Sequence, residues 1–256
     1  NGAGSVTSPG ITVSVSGSTG YVAWGARAFG QIGDGTSIAP APVDTTGVLA
    51  GRTVVEIALG GGHVVVRTSD NKLFSWGGNP SGQLGNNTTN DAYSPVAVDT
   101  SGVLAGKTIV ALAASNRTSY ALTSEGKVYA WGDNSFGQLG DGTTIASSVP
   151  VAVNMSGALA GKMVTAISSG PDVHFCVALT SDGLLYGWGS NGKGQLGNGT
   201  TTSSKVPVAV NMSGALAGLS ITAVSASGWN FSTSRGNVLA LASDGKLYAW
   251  GTNWDG

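Results

Sequence analysis

The two histidines, His63 and His174, are the side chains best suited to acid–base chemistry, because an imidazole titrates near neutral pH. A nucleophilic site also needs a serine or cysteine beside the imidazole and a third group that orients it. The spacing singles out no serine or aspartate for those roles. Both histidines stand at the start of similar apolar strands, where other parts of the chain have Thr118 or Asn237. We therefore expect both to pack or hydrogen-bond, and we predict no catalytic residue and no enzyme activity.

Acidic and amide-rich pairs such as Asp133-Asn134 and Asp141-Gly142 could attract a hard cation. Calcium sites gather several carboxylates and carbonyls at defined offsets, whereas each of these loops offers one carboxylate. The Gly-x-Gly patterns do not lie between a strand and a helix, as a nucleotide site requires. The sequence therefore predicts neither a metal nor a cofactor. The single cysteine, Cys176, lies in an apolar stretch, which indicates a small buried residue rather than a reactive thiol.

Asn-x-Ser/Thr sequons offer a second kind of chemistry, N-glycosylation in a secretory compartment. Since the chain is rich in Ser, Thr and Asn and repeats copy their sequons, chance explains most of them. The sequons lie at Asn86, Asn87, Asn116, Asn154, Asn198, Asn211 and Asn230.

Composition excludes several function classes. Hydrophobic residues make up 41% of the 256 residues, enough for a core, but charged residues make up only 10% and the net charge is −1. Nucleic-acid binding draws on clustered Lys and Arg, and the 12 basic residues here are scattered. No apolar run approaches the roughly 18 residues that span a bilayer. We expect no nucleic-acid partner, no membrane insertion, and a charge-poor surface typical of extracellular or cell-surface proteins.

A repeated motif positions these residues. Trp-Gly recurs and is followed at a constant offset by Gly-Gln-Leu-Gly or Gly-Gln-Ile-Gly, a period that indicates a repeat architecture. The tryptophans are Trp24, Trp76, Trp131, Trp188 and Trp250.

Each repeat contains two short apolar runs joined by a turn such as Glu125-Gly126 or Asp182-Gly183. An acidic residue and Gly between alternating runs predict a hairpin, because Gly supplies the positive φ of a tight turn. The strand that ends at Trp131 carries apolar side chains on both faces, so it must be covered on both sides. Segments such as 150–153 predict one more edge strand. We therefore predict an all-β fold, a β-propeller of about 55-residue repeats with three or four strands each. The Leu of each Gly-Gln-Leu-Gly should pack between sheets, and its Gln should bond backbone.

The string from Ala121 to Thr144, Ala-Leu-Thr-Ser-Glu-Gly-Lys-Val-Tyr-Ala-Trp-Gly-Asp-Asn-Ser-Phe-Gly-Gln-Leu-Gly-Asp-Gly-Thr-Thr, resembles the repeat of the regulator of chromosome condensation family. The resemblance covers nearly the whole chain from Tyr21 onward. It implies a propeller, commonly of seven blades in this family, but not one function. Relatives include a guanine-nucleotide exchange factor, ubiquitin-ligase accessory domains, an ultraviolet receptor and β-lactamase inhibitors. The long, near-identical linkers at 149–161 and 206–218 are closest in style to secreted bacterial or environmental members.

The expected domain organisation is an N-terminal extension, residues 1–10, followed by one propeller, residues 11–256. Seven blades need more chain than this, so we expect a fragment that stops inside its own motif at Gly256, or a partial or unconventionally closed ring, or chains that complete one another. The units of the propeller end near Gly25, Gly77, Gly132, Gly189 and Gly251.

The last repeat holds the most informative irregularity. From the first apolar residue to the hairpin acid, two repeats run 16 positions, and the last, from Ile221 to Asp244, runs 23. Insertions in repeat proteins fall in loops on one face, often the binding face. The extra residues include Trp229, Phe231 and Arg235, and Trp and Arg are enriched at binding hot spots. We name these three residues as a candidate partner-binding loop.

The chain has many similar repeats and few reactive side chains that are unique to one of them. This pattern favours a non-enzymatic interaction or structural module of a secreted or surface protein, in adhesion or assembly. Its partners would be another protein, copies of itself through strand exchange at an exposed edge, or a glycan. The alternative is a protein inhibitor of an extracellular enzyme such as a β-lactamase. The basic contacts on which the exchange factor relies are missing, which disfavours that activity.

Overall fold

The computed structural model describes residues 4–8, 11–16, 20–25, 41–228 and 236–253, with side chains from Val43 onward. Within them the chain forms five antiparallel sheets in chain order, which we call blades 1 to 5. Blade 1 comprises β1 (Gly4–Ser8), β2 (Ile11–Ser16), β3 (Gly20–Gly25) and β4 (Ala41–Pro42). Blade 2 comprises β5 (Val54–Leu59), β6 (His63–Thr68), β7 (Leu73–Gly77) and β8 (Ala92–Ala97).

The remaining blades repeat this order. Blade 3 comprises β9 (Ile109–Ala114), β10 (Thr118–Thr123), β11 (Val128–Gly132) and β12 (Ser147–Ala152). Blade 4 comprises β13 (Val164–Ser168), β14 (Phe175–Thr180), β15 (Leu185–Gly189) and β16 (Ser204–Ala209). Blade 5 comprises β17 (Ile221–Gly228), β18 (Gly236–Ala242) and β19 (Leu247–Gly251), after a short 3-10 helix at Gly214–Leu216.

The architecture confirms the predicted all-β propeller. The first strands of successive blades lie side by side, β1 beside β5, β5 beside β9, β9 beside β13, and β13 beside β17. Within a blade the strands pair as predicted: Leu122 stands opposite Val128 across the turn that contains Gly126, whose φ is 70°. The edge strand predicted around Pro150 is β12.

The first strand lies within the segment predicted as an N-terminal extension. Residues Gly4–Ser8 form β1 and pair in register with β2, from Gly4 opposite Val15 to Ser8 opposite Ile11. These residues therefore belong to the first sheet. Their short run of Ser, Val and Thr suits a strand, but it lacks the Trp-Gly signature by which the repeats were delimited.

The core lies between blades, as the two-sided apolar strands require. Leu139, fully buried, packs in one cluster with Tyr120 and Val128 of blade 3 and with Tyr186 and Trp188 of blade 4. The prediction that this Leu fills the space between sheets is therefore confirmed. Cys176 lies in the same cluster, and burial raises the pKa of its thiol far above the ordinary value, which confirms a buried apolar role.

Each Gly-Gln-Leu-Gly turn receives the tryptophan of the following blade. Gly140 has φ 66°, and a Cβ placed on it would lie 2.8 Å from the ring of Trp188, so only glycine suits both the conformation and the contact. The indole Nε1 of Trp188 donates to the carbonyl of Gln138 at 3.0 Å. The Gln138 Oε1 accepts from the backbone N–H of Phe136 at 2.8 Å, as predicted for this side chain.

A buried asparagine organises each of these turns. Asn134 is fully buried, and its Oδ1 accepts from the N–H of Leu139 at 2.9 Å. Its Nδ2 donates to Thr143 Oγ1 at 3.0 Å and to the carbonyl of Ile145 at 3.1 Å. Asn79 and Asn191 make the corresponding bonds in blades 2 and 4. The asparagine thus ties the turn to the connection that leads into the fourth strand.

Candidate functional site

His63 begins β6 and is fully buried between blades 2 and 3. Its Nε2 lies 2.8 Å from Ser119 Oγ, and that hydroxyl donates to the carbonyl of Gln83 at 2.8 Å. Because the Ser119 proton is used by Gln83, Nε2 must donate to Ser119, which leaves Nδ1 unprotonated. Among the described residues Nδ1 has no hydrogen-bond partner, and burial lowers the pKa of His63 to about 3.

This serine–histidine contact is structural. A catalytic serine gives its proton to the imidazole, whereas Ser119 gives its proton to a backbone carbonyl and is itself fully buried. The arrangement instead connects β6 of blade 2 with β10 of blade 3. The hydrogen-bonding role expected for His63 matches this geometry.

His174 lies in the connection before β14 and faces blade 3. Its Nε2 accepts from Asn116 Nδ2 at 3.3 Å, so the proton is on Nδ1, which points towards Asp133 Oδ2 at 3.9 Å. The Phe136 ring covers the imidazole with 5.1 Å between ring centroids. Burial lowers the pKa of His174, Asp133 opposes that shift, and Arg117 adds to it.

The two histidines do not occupy the same repeat position, contrary to the sequence prediction. His63 stands opposite Gly77, the glycine after Trp, but in blade 4 it is Phe175 that stands opposite Gly189. His174 is therefore one residue earlier than His63. In a strand a shift of one residue reverses the side-chain direction. The histidines thus have different neighbours and separate roles.

The lengths of the connections separate the two ends of the blades. In blades 2 to 5 the turns between second and third strands are all four residues, at 69–72, 124–127, 181–184 and 243–246. The linkers between blades are all eleven residues, at 43–53, 98–108, 153–163 and 210–220. The connections between first and second strands vary, with three residues at 60–62 and 115–117, six at 169–174 and seven at 229–235. We call the end of the blades that carries these variable connections the loop face, and the opposite end the turn face.

The turn face is held by repeated ion pairs. Lys107 at the end of a linker contacts Glu125 in the turn of the same blade at 2.8 Å. Arg52 with Asp70 and Lys162 with Asp182 make the equivalent pairs. These pairs are exposed, so each contributes little stability, but the same pair recurs at this end of blades 2, 3 and 4.

Side chains of blades 3 and 4 give the loop face its chemistry. Arg117 is exposed, and Phe136 is 40% exposed beside His174. Asp172 in the six-residue connection is buried, and that burial raises the pKa of its carboxyl. Arg117, Phe136 and Asp133 place an aromatic ring and charges of both signs on one surface.

The candidate loop Trp229, Phe231 and Arg235 lies outside the described residues. Its two ends are described: β17 ends at Gly228 and β18 begins at Gly236, so the segment connects first and second strands on the loop face. A Cβ on Gly236 would lie 2.5 Å from the Phe175 ring, which shows how closely this end abuts blade 4.

The connection 169–174 was missed by the sequence reasoning. The signal was present, because Val164 to Asp182 spans 18 positions against 16 in the two template repeats. The prediction singled out only the larger insertion in the last repeat. The structure places 169–174 on the loop face of blade 4 and the two ends of the larger insertion, Gly228 and Gly236, in the neighbouring blade 5.

The sequons differ in their surroundings. Asn116 is 6% exposed and its Nδ2 donates to His174, so the folded protein does not offer that nitrogen for glycosylation. At Asn86 and Asn198 the Oδ1 accepts from the threonine two residues on, and at Asn154 and Asn211 from the serine two residues on. Asn87 has a positive φ of 62°, and Asn230 lies outside the described residues.

The described part of the chain also bears on a metal site and on a membrane helix. There, no three or more His, Cys, Asp and Glu side chains come together as metal ligands. Within the same residues no helix has the length and apolar character that crossing a bilayer requires.

The fold and the interlocking turns define a repeat-built β-propeller. Models of the regulator of chromosome condensation (RCC1) repeat match residues 70–122, 125–177 and 182–233, and a second model of this repeat matches 54–83, 109–138 and 164–195. The chain therefore belongs to the RCC1 repeat family. Propellers of this family are mostly binding or regulatory modules, and the matches in this chain are to repeats alone.

Individual relatives agree with the family. The ultraviolet-B receptor UVR8 of Arabidopsis thaliana is 32% identical over 233 residues, which are 90% of this chain and 48% of UVR8. The E3 ubiquitin-protein ligase HERC2 of Homo sapiens is 35% identical over 186 residues, 72% of this chain and 4% of HERC2. The chain thus spans about half of UVR8 and a small part of HERC2.

Solved structures show the same fold. Human WBSCR16 superposes with a TM-score of 0.77 at 21% identity, covering 96% of this chain and 60% of that one. Prp20p of Saccharomyces cerevisiae, described with its binding to Gsp1p and histones, superposes with a TM-score of 0.71 at 21% identity, covering 97% and 55%.

Proposed function

We propose that this chain is a non-enzymatic protein-interaction module that binds its partner through the loop face. One observation carries the proposal: in blades 2 to 5 the turns and linkers keep constant lengths, and the connections between first and second strands, which lie on the loop face, vary from three to seven residues. In repeat proteins, variation confined to one face is typical of the binding face.

The chemistry of the loop face fits a protein partner. Phe136 offers an exposed aromatic ring that is held in place by its contact with His174. Arg117 lies nearby, and aromatic residues and Arg dominate the energetics of protein interfaces. The strands that flank the segment with Trp229, Phe231 and Arg235 end and begin at Gly228 and Gly236, at the same end of the blades.

Relatives support the same class of function. Prp20p was crystallised in a study of its binding to Gsp1p and histones, and in another structure it is bound by Kap60. These partners belong to Prp20p. What carries over to the present chain is the proposal that an RCC1-type propeller presents its loops to another protein.

We also propose an extracellular or cell-surface location, in adhesion or assembly. The support is the low charged fraction of 10%, with a surface built from Ser, Thr, Asn and Gly instead. In a glycosylating secretory route, Asn211, which is exposed, would be the first sequon to test. Surface labelling of intact cells that make the protein, with a membrane-impermeant biotin reagent, tests this location; protection until the cells are lysed would contradict it.

Photo-crosslinking tests the binding face. A photoreactive phenylalanine analogue replaces Arg117 or Phe136 on the loop face, or Glu125 on the turn face as a matched exposed control. We expect the two loop-face positions to crosslink one shared protein from the cells that make the chain. Excess unlabelled chain should compete, and excess chain carrying Arg117→Glu and Phe136→Ala should not. Equal crosslinking from position 125, or competition by the double variant, would contradict the assignment.

A further inference from the structure

Arg117 stands on the loop face at a position where the repeat uses only the backbone. Its carbonyl accepts the N–H of Asp133 at 2.8 Å. In blades 2, 4 and 5 the carbonyls of Gly62, His174 and Gly236 accept the equivalent bond from the residue after the Trp-Gly glycine. Because glycine serves at two of these positions, the fold requires no side chain there. The exposed guanidinium of Arg117 is therefore not explained by the architecture.

Phe136 holds a comparable position in the turn that follows Trp131. Its N–H donates to the side chain of Gln138 at 2.8 Å. Ser81 and Lys193 donate their N–H in the same way to the glutamine of their own turns, at 2.9 Å and 2.7 Å. The turn therefore accepts a small, a charged or an aromatic residue at this point. The phenyl ring, which is 40% exposed, is not required by the turn either.

Lys205, the second residue of β16, is a third exposed side chain of this kind. Its carbonyl accepts the N–H of Gly142 at 2.9 Å, and a Cβ placed on Gly137 would lie 2.6 Å from its Cα. In β12 the backbone of Ser148 makes the same two contacts with the preceding blade. The fold thus uses the backbone of Lys205 and not its ammonium group.

The side chains of Arg117, Phe136 and Lys205 belong to one surface, which we call the basic-aromatic patch. Asp133, which bonds the backbone of Arg117, lies three residues before Phe136. Gly137, which packs on the backbone of Lys205, follows Phe136 directly. Neither Arg117 nor Lys205 forms an ion pair with any residue that the structure describes. The patch therefore presents an aromatic ring between two cations that have no internal counter-ion there.

The carboxylates at this end of the blades are engaged by their own chain. In the part of the chain that the structure describes, three accept hydrogen bonds from neighbouring donors and one is buried. The three acceptors are Asp91, Asp133 and Asp141, and the buried carboxylate is that of Asp172. A cationic side chain of a partner would have to displace these donors, whereas an anionic one meets the unused donors of Arg117 and Lys205.

We propose that the basic-aromatic patch binds an acidic segment of the protein partner. One carboxylate of the segment pairs with the guanidinium of Arg117, an apolar side chain packs on the ring of Phe136, and a second carboxylate lies at Lys205. A planar guanidinium donates two parallel hydrogen bonds to a carboxylate, and complementary charge speeds association and selects the partner. The inference rests on the proposed function and adds the chemistry of the partner to it.

A selection from random peptides tests the preference for acidic segments. Peptides displayed on phage are selected on the chain, and those that also bind the Phe136→Ala chain are removed. Loop-face binders then remain without any bias in charge. We expect Asp and Glu next to aromatic or aliphatic residues to be enriched. In fluorescence anisotropy, a selected peptide made with Asn and Gln in place of Asp and Glu should bind at least about tenfold more weakly.

Variants of the chain locate the contact. Arg117→Gln should weaken binding of the selected peptide at least about tenfold, and Lys205→Gln about threefold, because an ammonium group makes a less directional pair. Lys127→Gln, at an exposed site on the turn face, is the matched control and should bind as the parent chain does. Arg117→Glu should bind a peptide with Lys in place of Asp and Glu more tightly than the parent chain does. Circular dichroism confirms that all variants are folded.

The outcomes separate this inference from the proposed function. Peptides that depend on Phe136 but are basic or uncharged would overturn the inference and leave the loop face as the binding face. Unchanged binding by Arg117→Gln, or an equal loss with Lys127→Gln, would overturn it as well. A selection that returns no peptide dependent on Phe136 would contradict both. Acidic peptides that lose affinity with Arg117→Gln support both.

Discussion

Replacing Asn134 with Ala should destabilise the protein more than any exposed asparagine substitution. The substitution leaves the buried N–H of Leu139 without the Oδ1 that accepts its bond at 2.9 Å, and it removes the bonds to Thr143 and Ile145. An unsatisfied buried N–H costs about 1–3 kcal/mol, and each lost hydrogen bond about 1 kcal/mol. Thr143 and Ile145 are not buried, so water replaces part of their loss. The expected cost is about 2–4 kcal/mol.

Thermal and urea unfolding followed by circular dichroism measure this cost. For a chain of this size about 2–4 °C of Tm corresponds to each kcal/mol, so Asn134→Ala should lower Tm by roughly 5–15 °C. Asn211→Ala is the matched control, because Asn211 is exposed and accepts one bond from its near neighbour Ser213. Its Tm should change by no more than about 2 °C.

Asn134→Asp distinguishes the contribution of the amide oxygen from that of the amide nitrogen. The acid keeps an oxygen for Leu139 but sets a second oxygen against the carbonyl of Ile145, 3.1 Å from the present Nδ2. At pH 7 we expect at least the loss seen with Ala, and part of it should be regained near about pH 4, where the carboxyl protonates. Equal stability of Asn134→Ala and Asn211→Ala, or an Asp variant as stable as the parent at pH 7, would refute the reasoning.

Three further substitutions probe the packing between blades. Leu139→Ala removes a fully buried side chain and should cost about 3–5 kcal/mol by urea unfolding, whereas Ile145→Ala, at a 74% exposed site, should change stability by less than about 0.5 kcal/mol. His63 binds a proton below pH 6.5 when unfolded but only near pH 3 when folded, so its burial lowers the stability of the folded protein as the pH falls from 6.5 to 3. His63→Gln should therefore reduce the loss of stability over this pH range. A plot of the urea midpoint against pH that is the same for the variant and the parent would contradict this prediction. Glu56 pairs with Arg67 at 2.8 Å and accepts the N–H of Leu112 at 2.7 Å, so Glu56→Ala should cost about 1–3 kcal/mol, and a double-mutant cycle with Arg67→Ala should show coupling between the two residues.

The repeats made most of the fold predictable. Trp-Gly and the acidic turn stand at fixed offsets, so the hairpins and their registers follow from local sequence, as at Leu122 and Val128. The burial of Leu139 followed from strands that are apolar on both faces. These features depend on residues close together in the chain, where pattern and turn chemistry act directly.

The missed features depend on contacts between distant residues. Asn134 recurs three positions after each Trp from Trp76 onward, but its role appears only when the turn and the fourth-strand connection come together. His63 lies 13 residues before Trp76 and His174 14 residues before Trp188, an offset that the similar apolar strands after the two histidines conceal. Gly4–Ser8 form a strand because β2 is beside them, not because of any motif.

Within the described residues Trp131, Trp188 and Trp250 each pack on the glycine turn of the preceding blade, which gives the row of blades a direction. Trp188 of blade 4 bonds Gln138 of blade 3, and Trp250 of blade 5 bonds Gln195 of blade 4. A lesion in one turn therefore loosens the anchor of the next blade while the tryptophan of its own blade stays seated. Because each blade of a repeat protein contacts only its neighbours, this asymmetry passes the loss of stability on towards the C-terminal blades. Blades on the N-terminal side of a defect remain supported, so partial unfolding should release the array from its C-terminal side first.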